Sequence, residues 1–195
     1  MVFGFISMFG FISTLDRLDE AALDAVTGVR WAPISGVLVV ASAWWFKGFV
    51  FVGLGALADL KRRSLVPLAA LAGAVSFGIA SGIVAGVKDT VDRARPAVAD
   101  PTFETLIATP SSPSFPSGHA ATAFAAAVAI GVLFPRLRWP LVGLAVFVAF
   151  SRVYLGVHYW LDVLVGSLLG VAIGFGVAWA MRRVLRPVPS GPTPA

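Results

Sequence analysis

Only two histidines occur in the 195 residues, and each stands among groups that bind phosphate. The first closes the run Pro116-Ser117-Gly118-His119. The second follows Ser151-Arg152 after five residues and precedes Asp162 by three. Imidazole is the side chain best suited to moving protons near neutral pH, and its free nitrogen can attack phosphorus. His158 and Asp162 are four apart, so on a helix they share a face. A carboxylate held to one ring nitrogen fixes the tautomer and leaves the other free to attack. Arg152 adds a planar fork that fits phosphate oxygens. The lesser alternative for these residues is a helix-capping pair beside one buried cation.

The run before His119 leads straight into an apolar stretch. Unpaired N–H groups and the helix dipole favour an anion at a helix start. Ser117 can cap that start or donate to a phosphate oxygen, and Gly118 lets a ligand approach the backbone. His119 on the first turn can give a proton to a leaving oxygen. A plain Ser-capped helix with an interfacial histidine fits the same residues. A third cluster is Lys88, six residues, then Arg95-Pro96. Seven residues are close to two helical turns, so Lys88 and Arg95 share a face if the helix continues to Pro96, which ends it. Such a pair can bind an anion or snorkel to lipid headgroups. Arg93 reads as an ordinary snorkelling residue, and Asp89 and Asp92 as local charge partners rather than catalytic acids.

The elements that must carry these groups are membrane helices. The chain is 58% hydrophobic and 13% charged, about half the usual charge of a soluble domain. Its mean hydropathy is +0.88. Long uncharged runs cover 65–87, 120–134 and 163–181, and 139–157 holds a single charge, Arg152. Residues 34–60 are interrupted by Lys47 and read either as one tilted span near 44–60 or as two short embedded helices. Residues 16–30 mix charge and apolar positions at helical spacing, as a surface helix does. The first 13 residues read as an apolar interfacial segment. The expected fold is all-α, a polytopic bundle of five to six membrane helices plus N-terminal interfacial helices. It divides into an N-terminal segment 1–45, a membrane domain 46–186 and a disordered tail 187–195. Cysteine is absent, which excludes disulfides and thiolate metal sites.

Charge sets the expected orientation. Lys61-Arg62-Arg63, Arg136 with Arg138, and Arg182, Arg183 with Arg186 mark three ends on one side, which the positive-inside rule assigns to the cytoplasm. At about 1.5 Å per residue, His119 lies about 25 Å from that edge, Asp162 about 30 Å and Arg152 about 21 Å. All three clusters therefore meet near the outer interface of a plasma or inner membrane. An arginine as deep as Arg152 is costly, which marks it as functional or paired. Glycines recur every fourth residue at 78, 82, 86 and at 166, 170, 174, a spacing for close helix contact inside the chain. Residues 97–115 form a long loop with three prolines, read as a mouth over the site or a passive connector. Phe103, Leu106 and Ile107 are its candidates for touching lipid.

Taken together, K-x6-RP, PSGH and SR-x5-H-x3-D fix eleven positions in one order and at one depth. In these the chain resembles the type 2 phosphatidic acid phosphatase family of integral-membrane lipid phosphatases, over residues 46–181. The resemblance implies that His158 is a nucleophile forming a phosphohistidine, that Asp162 orients it, and that His119 handles the leaving-group and water protons. It implies that Lys88, Arg95, Arg152, Ser117 and Gly118 hold the phosphoryl oxygens, with Pro96 and Ser151 completing their motifs. No metal and no cofactor is implied. The expected substrate is a lipid phosphate or diphosphate, first undecaprenyl diphosphate in cell-wall biogenesis, alternatively phosphatidylglycerophosphate or phosphatidic acid. A phosphotransferase would use the same residues, and a lipid-binding or transport protein with a relic site is the non-enzymatic alternative. The expected partners are the bilayer and its lipid, with no nucleic acid, in a monomer or weak homodimer.

Overall fold

The computed structural model describes residues 2–43, 48–61 and 67–184, with side chains from residue 14 onward. Lys47, Arg62, Arg63, Arg186 and the 187–195 tail lie outside them. Among the described residues eight α-helices follow one another: α1 (Val2–Thr27), α2 (Ala32–Ala41), α3 (Phe49–Lys61), α4 (Leu68–Val91), the short α5 (Pro96–Ala99), α6 (Gly118–Leu133), α7 (Arg138–Tyr154) and α8 (Trp160–Val184). A 3-10 turn at Pro135–Leu137 joins α6 to α7. The described residues contain no strand.

The centre is α6, which packs against α8 most extensively and also against α4 and α7. Its sequence explains the position. Seven of its 16 residues are alanine, and all seven are buried. Helices in lipid gain little by burying large apolar groups, because lipid tails are as apolar as leucine; they gain by close contact of small ones. The α8 glycines complete the fit. A Cβ on Gly166 would stand 2.6 Å from the Ser117 carbonyl oxygen, one on Gly170 would strike the Ala121 carbonyl, and one on Gly174 would lie 2.7 Å from the Ala125 carbonyl. The large apolar side chains point outward instead. Leu71, Val75, Ile79 and Ile83 form an exposed stripe on α4, and Leu164, Leu168, Phe175 and Trp179 one on α8.

The same glycine spacing on α4 has a different outcome. Among the described residues, no atom lies within contact of a Cβ added to Gly78, Gly82 or Gly86, so the expectation of intramolecular packing holds for α8 and fails for α4. Period alone shows a smooth face but not what lies opposite it.

Among the described residues, three helical segments are long and apolar enough to cross a membrane: Leu68–Ala99, Pro135–Tyr154 and Trp160–Val184. A fourth is formed if Thr14–Thr27 and Ala32–Ala41, bent by 118°, count as one broken span. The bend falls where Gly28 and Pro33 interrupt helical geometry. Gly118–Leu133 is apolar but shorter. Residues 2–13 and 16–27, read separately in the sequence, run on as one helix. Its second half packs on α7 and α8, burying Asp19 and Leu23.

At one end of the bundle Asp59 is buried and accepts the N–H groups of Ala69 (2.9 Å) and Ala70 (3.0 Å), capping α4 from the neighbouring α3. Residues of the three basic clusters fall at this end. Lys61 and Arg136 line one cavity, and Arg182 donates to the Val132 carbonyl. The three sequence clusters all fall at the other end.

Two substitutions test the packing. Gly170→Leu should lower stability in detergent by more than the roughly 1–3 kcal/mol of ordinary overpacking, because backbone stands in the way. Gly82→Leu should stay within about 0.5 kcal/mol of wild type. Equal thermal shifts for the two would contradict the arrangement.

Candidate active site

Four helix ends build the site. Lys88 lies in the last turn of α4, Gly118 and His119 open α6, Arg152 lies in the last turn of α7, and Asp162 in the first turn of α8. The α4 helix stops at Val91, where Asp92 takes the left-handed conformation at φ 45°. Aspartate tolerates that region better than most residues. Arg95 is therefore beyond the helix, in extended conformation, and Pro96 opens α5 instead of ending α4. Lys88 and Arg95 do not share a helix face. They meet by another route: both donate to the Pro113 carbonyl, and Arg95 Nε also donates to the Ser112 carbonyl at 2.8 Å. The loop 97–115 is thus held to the site by the two cations.

His158 is not on a helix either. The turn after α7 contains Gly156 at φ +78°, where a Cβ would stand 2.7 Å from Arg30 Nη2 and 2.8 Å from the Phe103 ring. Glycine is needed there twice, for its backbone conformation and for space. His158 follows, and α8 begins at Trp160. Asp162 reaches back from the third position of α8 to accept the Tyr159 N–H at 3.0 Å, the backward half of a capping box. The same oxygen, Oδ2, lies 3.4 Å from His158 Nδ1 and accepts a short bond from Ser114 Oγ. The two readings of this pair, cap and dyad, are both realised by one carboxylate.

The tautomer of His158 follows from its neighbours. Arg95 Nη1 lies 3.2 Å from His158 Nε2. A guanidinium can only donate, so Nε2 offers its lone pair and Nδ1 carries the proton toward Asp162. Burial pushes the imidazole down to about 3; the positive charges of Arg152 and Arg95 act the same way, against Asp162. The ring is therefore neutral, with its lone pair toward the cations.

A cavity of about 320 Å³ opens here, lined by Ser42, Lys88, Arg95, Ile107, Pro110, Ser112, Gly118, His119, Arg152 and His158. Three cations and no carboxylate line it, so it favours an anion of two or more charges. His119 Nε2 lies 3.2 Å from the Ser42 carbonyl, which can only accept; Arg152 Nη1 donates to that oxygen at 3.4 Å. Among the described residues, the buried Arg152 Nε and Ser117 Oγ have no hydrogen-bond partner. Ser117 precedes α6 without capping it through its side chain. Of the eleven motif residues, Pro96, Pro116, Ser117, Ser151 and Asp162 do not line the cavity. Pro96 is buried at the start of α5, and the Ser151 hydroxyl donates to the Val148 carbonyl at 2.6 Å.

Arg93 departs from the snorkelling expectation. Its side chain is 20% exposed, and it donates to Asp162 Oδ1 at 2.7 Å, Asp19 Oδ2 at 3.0 Å and Asp16 Oδ1 at 3.3 Å. Its partners are distant in sequence, which is why spacing could not reveal them. Ser112 and Ser114 were missed for the same reason.

A cavity lined by cations beside a carboxylate-backed histidine, at one end of a helical membrane bundle, is the kind of site that can hold a phosphate group. The comparisons narrow it. The PAP2 superfamily model matches residues 68–186. An undecaprenyl-diphosphatase of Sulfolobus acidocaldarius is 34% identical over 74% of this chain and 69% of its own length. A decaprenylphosphoryl-5-phosphoribose phosphatase of Mycobacterium tuberculosis is 43% identical over 62% of this chain. The match spans just under two thirds (64%) of that relative's length. The crystal structure of a transmembrane PAP2-type phosphatidylglycerolphosphate phosphatase from Bacillus subtilis superposes with a TM-score of 0.73 at 27% identity, covering 93% of this chain and 97% of that one. This chain belongs to the PAP2 superfamily and is a multi-pass membrane protein.

The protonation state of His158 can be tested in the ligand-free protein. The charged form is the one that burial disfavours, so the ring should stay neutral, with Nδ1 protonated, down to about pH 4. In the unfolded chain it takes up a proton near its ordinary value of about 6.5, so this group lowers stability as pH falls from there toward 3. Nitrogen-15 shifts of His158 at about pH 5 should be those of a neutral ring; an imidazolium spectrum would contradict the burial argument.

Proposed function

We propose that this chain is a membrane lipid phosphatase that works through a phosphohistidine on His158. The observation that carries this reading is the orientation of that ring: Nδ1 toward Asp162, and Nε2 toward Arg95 in a cavity lined by cations. In the first step the Nε2 lone pair attacks phosphorus. A P–N bond forms as the P–O bond to the lipid breaks, and His119 gives its proton to the leaving oxygen. In the second step His119 takes a proton from water, whose oxygen attacks the same phosphorus. The P–N bond breaks, releasing inorganic phosphate and a neutral His158. Lys88, Arg95 and Arg152 stabilise the charge on the equatorial oxygens, aided by Ser117 Oγ and the α6 N-terminus at Gly118. Three fixed cations do what a divalent ion does in many phosphatases, so no metal step is required.

The substrate in this reading is a polyprenyl-linked phosphate, with undecaprenyl diphosphate first. The Sulfolobus relative, named for that activity, supports it. A second reading, a polyprenylphosphoryl sugar phosphate, is favoured by the higher identity to the Mycobacterium tuberculosis relative. Both share a long isoprenoid tail and a terminal phosphate, and either would keep its tail beside the exposed apolar stripes. The site end faces out of the cytoplasm in this proposal, because Lys61, Arg136, Arg138, Arg182 and Arg183 lie at or near the other end.

One assay tests reaction, metal dependence and sidedness. Sealed right-side-out vesicles carrying the chain should release phosphate from externally added farnesyl diphosphate in excess EDTA. Polyprenylphosphoryl ribose phosphate, phosphatidylglycerophosphate and phosphatidic acid complete the panel. His158→Ala should abolish release. Turnover retained by His158→Ala would sink the nucleophile, restoration only by magnesium would sink the metal-free step, and release only after permeabilisation would reverse the orientation.

A further inference from the structure

One charged group behind the site has no part in the steps above. Arg93 stands two residues before the motif residue Arg95 and does not line the cavity. Its Nη1 donates to Asp162 Oδ1 at 2.7 Å, the oxygen not turned toward His158. Its Nη2 donates to Asp19 Oδ2 at 3.0 Å, and its guanidinium lies 4.2 Å from the centroid of the Tyr159 ring. Asp19 belongs to α1 and is 4% exposed. Its other oxygen accepts the Leu161 N–H at 3.0 Å, so one carboxylate holds both the arginine and the first turn of α8.

We infer that Arg93 and Asp19 are positioning residues for the His158–Asp162 pair, making a chain of contacts Asp19–Arg93–Asp162–His158 that brings α1 into the active unit. The inference rests on the reading of His158 as nucleophile. A carboxylate can rotate about its Cβ–Cγ bond unless both oxygens are held. Ser114 and the Tyr159 N–H hold Oδ2, and Arg93 holds Oδ1. Without Arg93, Oδ1 loses its charged partner in a buried place and turns toward other donors. The Nδ1–H of His158 then loses a fixed acceptor, and with it the tautomer that leaves Nε2 unprotonated. Asp19 acts one contact further back, by fixing Arg93 and the α8 start together. The family model begins at residue 68, so Asp19 lies outside the matched region and its role comes from the packing of α1.

The test compares wild type, His158→Ala, Arg93→Gln, Arg93→Lys and Asp19→Asn, purified in detergent, with farnesyl diphosphate as probe. Each is scored for folded yield, melting temperature, kcat and KM. Arg93→Gln should lower kcat about 10- to 100-fold, the size of loss seen when the orienting partner of a metal-bound histidine is removed, with little change in KM. Arg93→Lys should recover part of that loss, since an ammonium can reach Asp162 but not both carboxylates. Asp19→Asn should lower kcat in the same direction by less. If melting temperatures fall while kcat per folded enzyme stays at the wild-type value, the role is structural and the inference is overturned. A rise in KM alone would overturn it too, by making Arg93 a phosphate ligand. If Arg93→Gln does not fold, Arg93→Lys and Asp19→Asn decide the matter by the same readings. Turnover by His158→Ala would fail the nucleophile reading itself, separately from any result at Arg93.

Discussion

A buried carboxylate must be satisfied, and that constraint organises this end of the molecule. Asp162 is fully buried, so its charge is tolerable only with donors on both oxygens. It receives the Tyr159 N–H from its own helix start, Ser114 from the loop, Arg93 from the segment after α4, and the Nδ1 side of His158. Three separate stretches of chain, 158–162, the loop at Ser114 and the segment at Arg93, are fixed relative to one another by one side chain. Removing it would leave Arg93 and His158 without the acceptor that orders them, and would free the loop that carries Ser112 and Ser114 to the cavity.

The rest of the bundle serves the same purpose more diffusely. Alanines on α6 and glycines on α8 let two backbones run close together, which sets the start of α6 beside the start of α8. The contact is direct: the Ser117 N–H donates to the Asp162 carbonyl at 2.9 Å. The helix end that offers N–H groups to an anion is thus tied to the helix that carries the histidine's carboxylate. Loops then close the cavity. Arg30 donates to the carbonyls of Tyr154 (3.0 Å) and Glu104 (2.9 Å), and Leu106 N–H donates to Leu155 (3.1 Å), so residues 104–106 lie docked on the turn that leads to His158.

What the sequence revealed follows the range of the interactions. PSGH and the His158–Asp162 pair were legible because their members stand within a few residues of one another, where spacing constrains geometry; Arg152 stands six residues before His158, across the turn between α7 and α8. The apolar runs were legible because lipid demands uncharged length. Arg93 was misread because its partners Asp162 and Asp19 stand 69 and 74 residues away, and nothing local distinguishes it from a snorkelling arginine. Ser42 was invisible because it contributes a backbone carbonyl, which no side-chain pattern records. Lys88 and Arg95 were rightly grouped for the wrong reason: the helix stops at Asp92, and a shared carbonyl, not a shared face, brings them together. The α4 and α8 glycines carry the same spacing and differ only in what packs against them.

The central claim is that His158 Nε2 takes the phosphoryl group. The direct measurement is rapid acid-free quenching of the enzyme turning over phosphorus-32-labelled farnesyl diphosphate, followed by alkaline peptide mapping. The account predicts an alkali-stable, acid-labile label on the peptide containing His158, and none in His158→Ala. Label on His119 or on a carboxylate, or turnover with no labelled peptide under conditions that trap a known phosphohistidine, would contradict it.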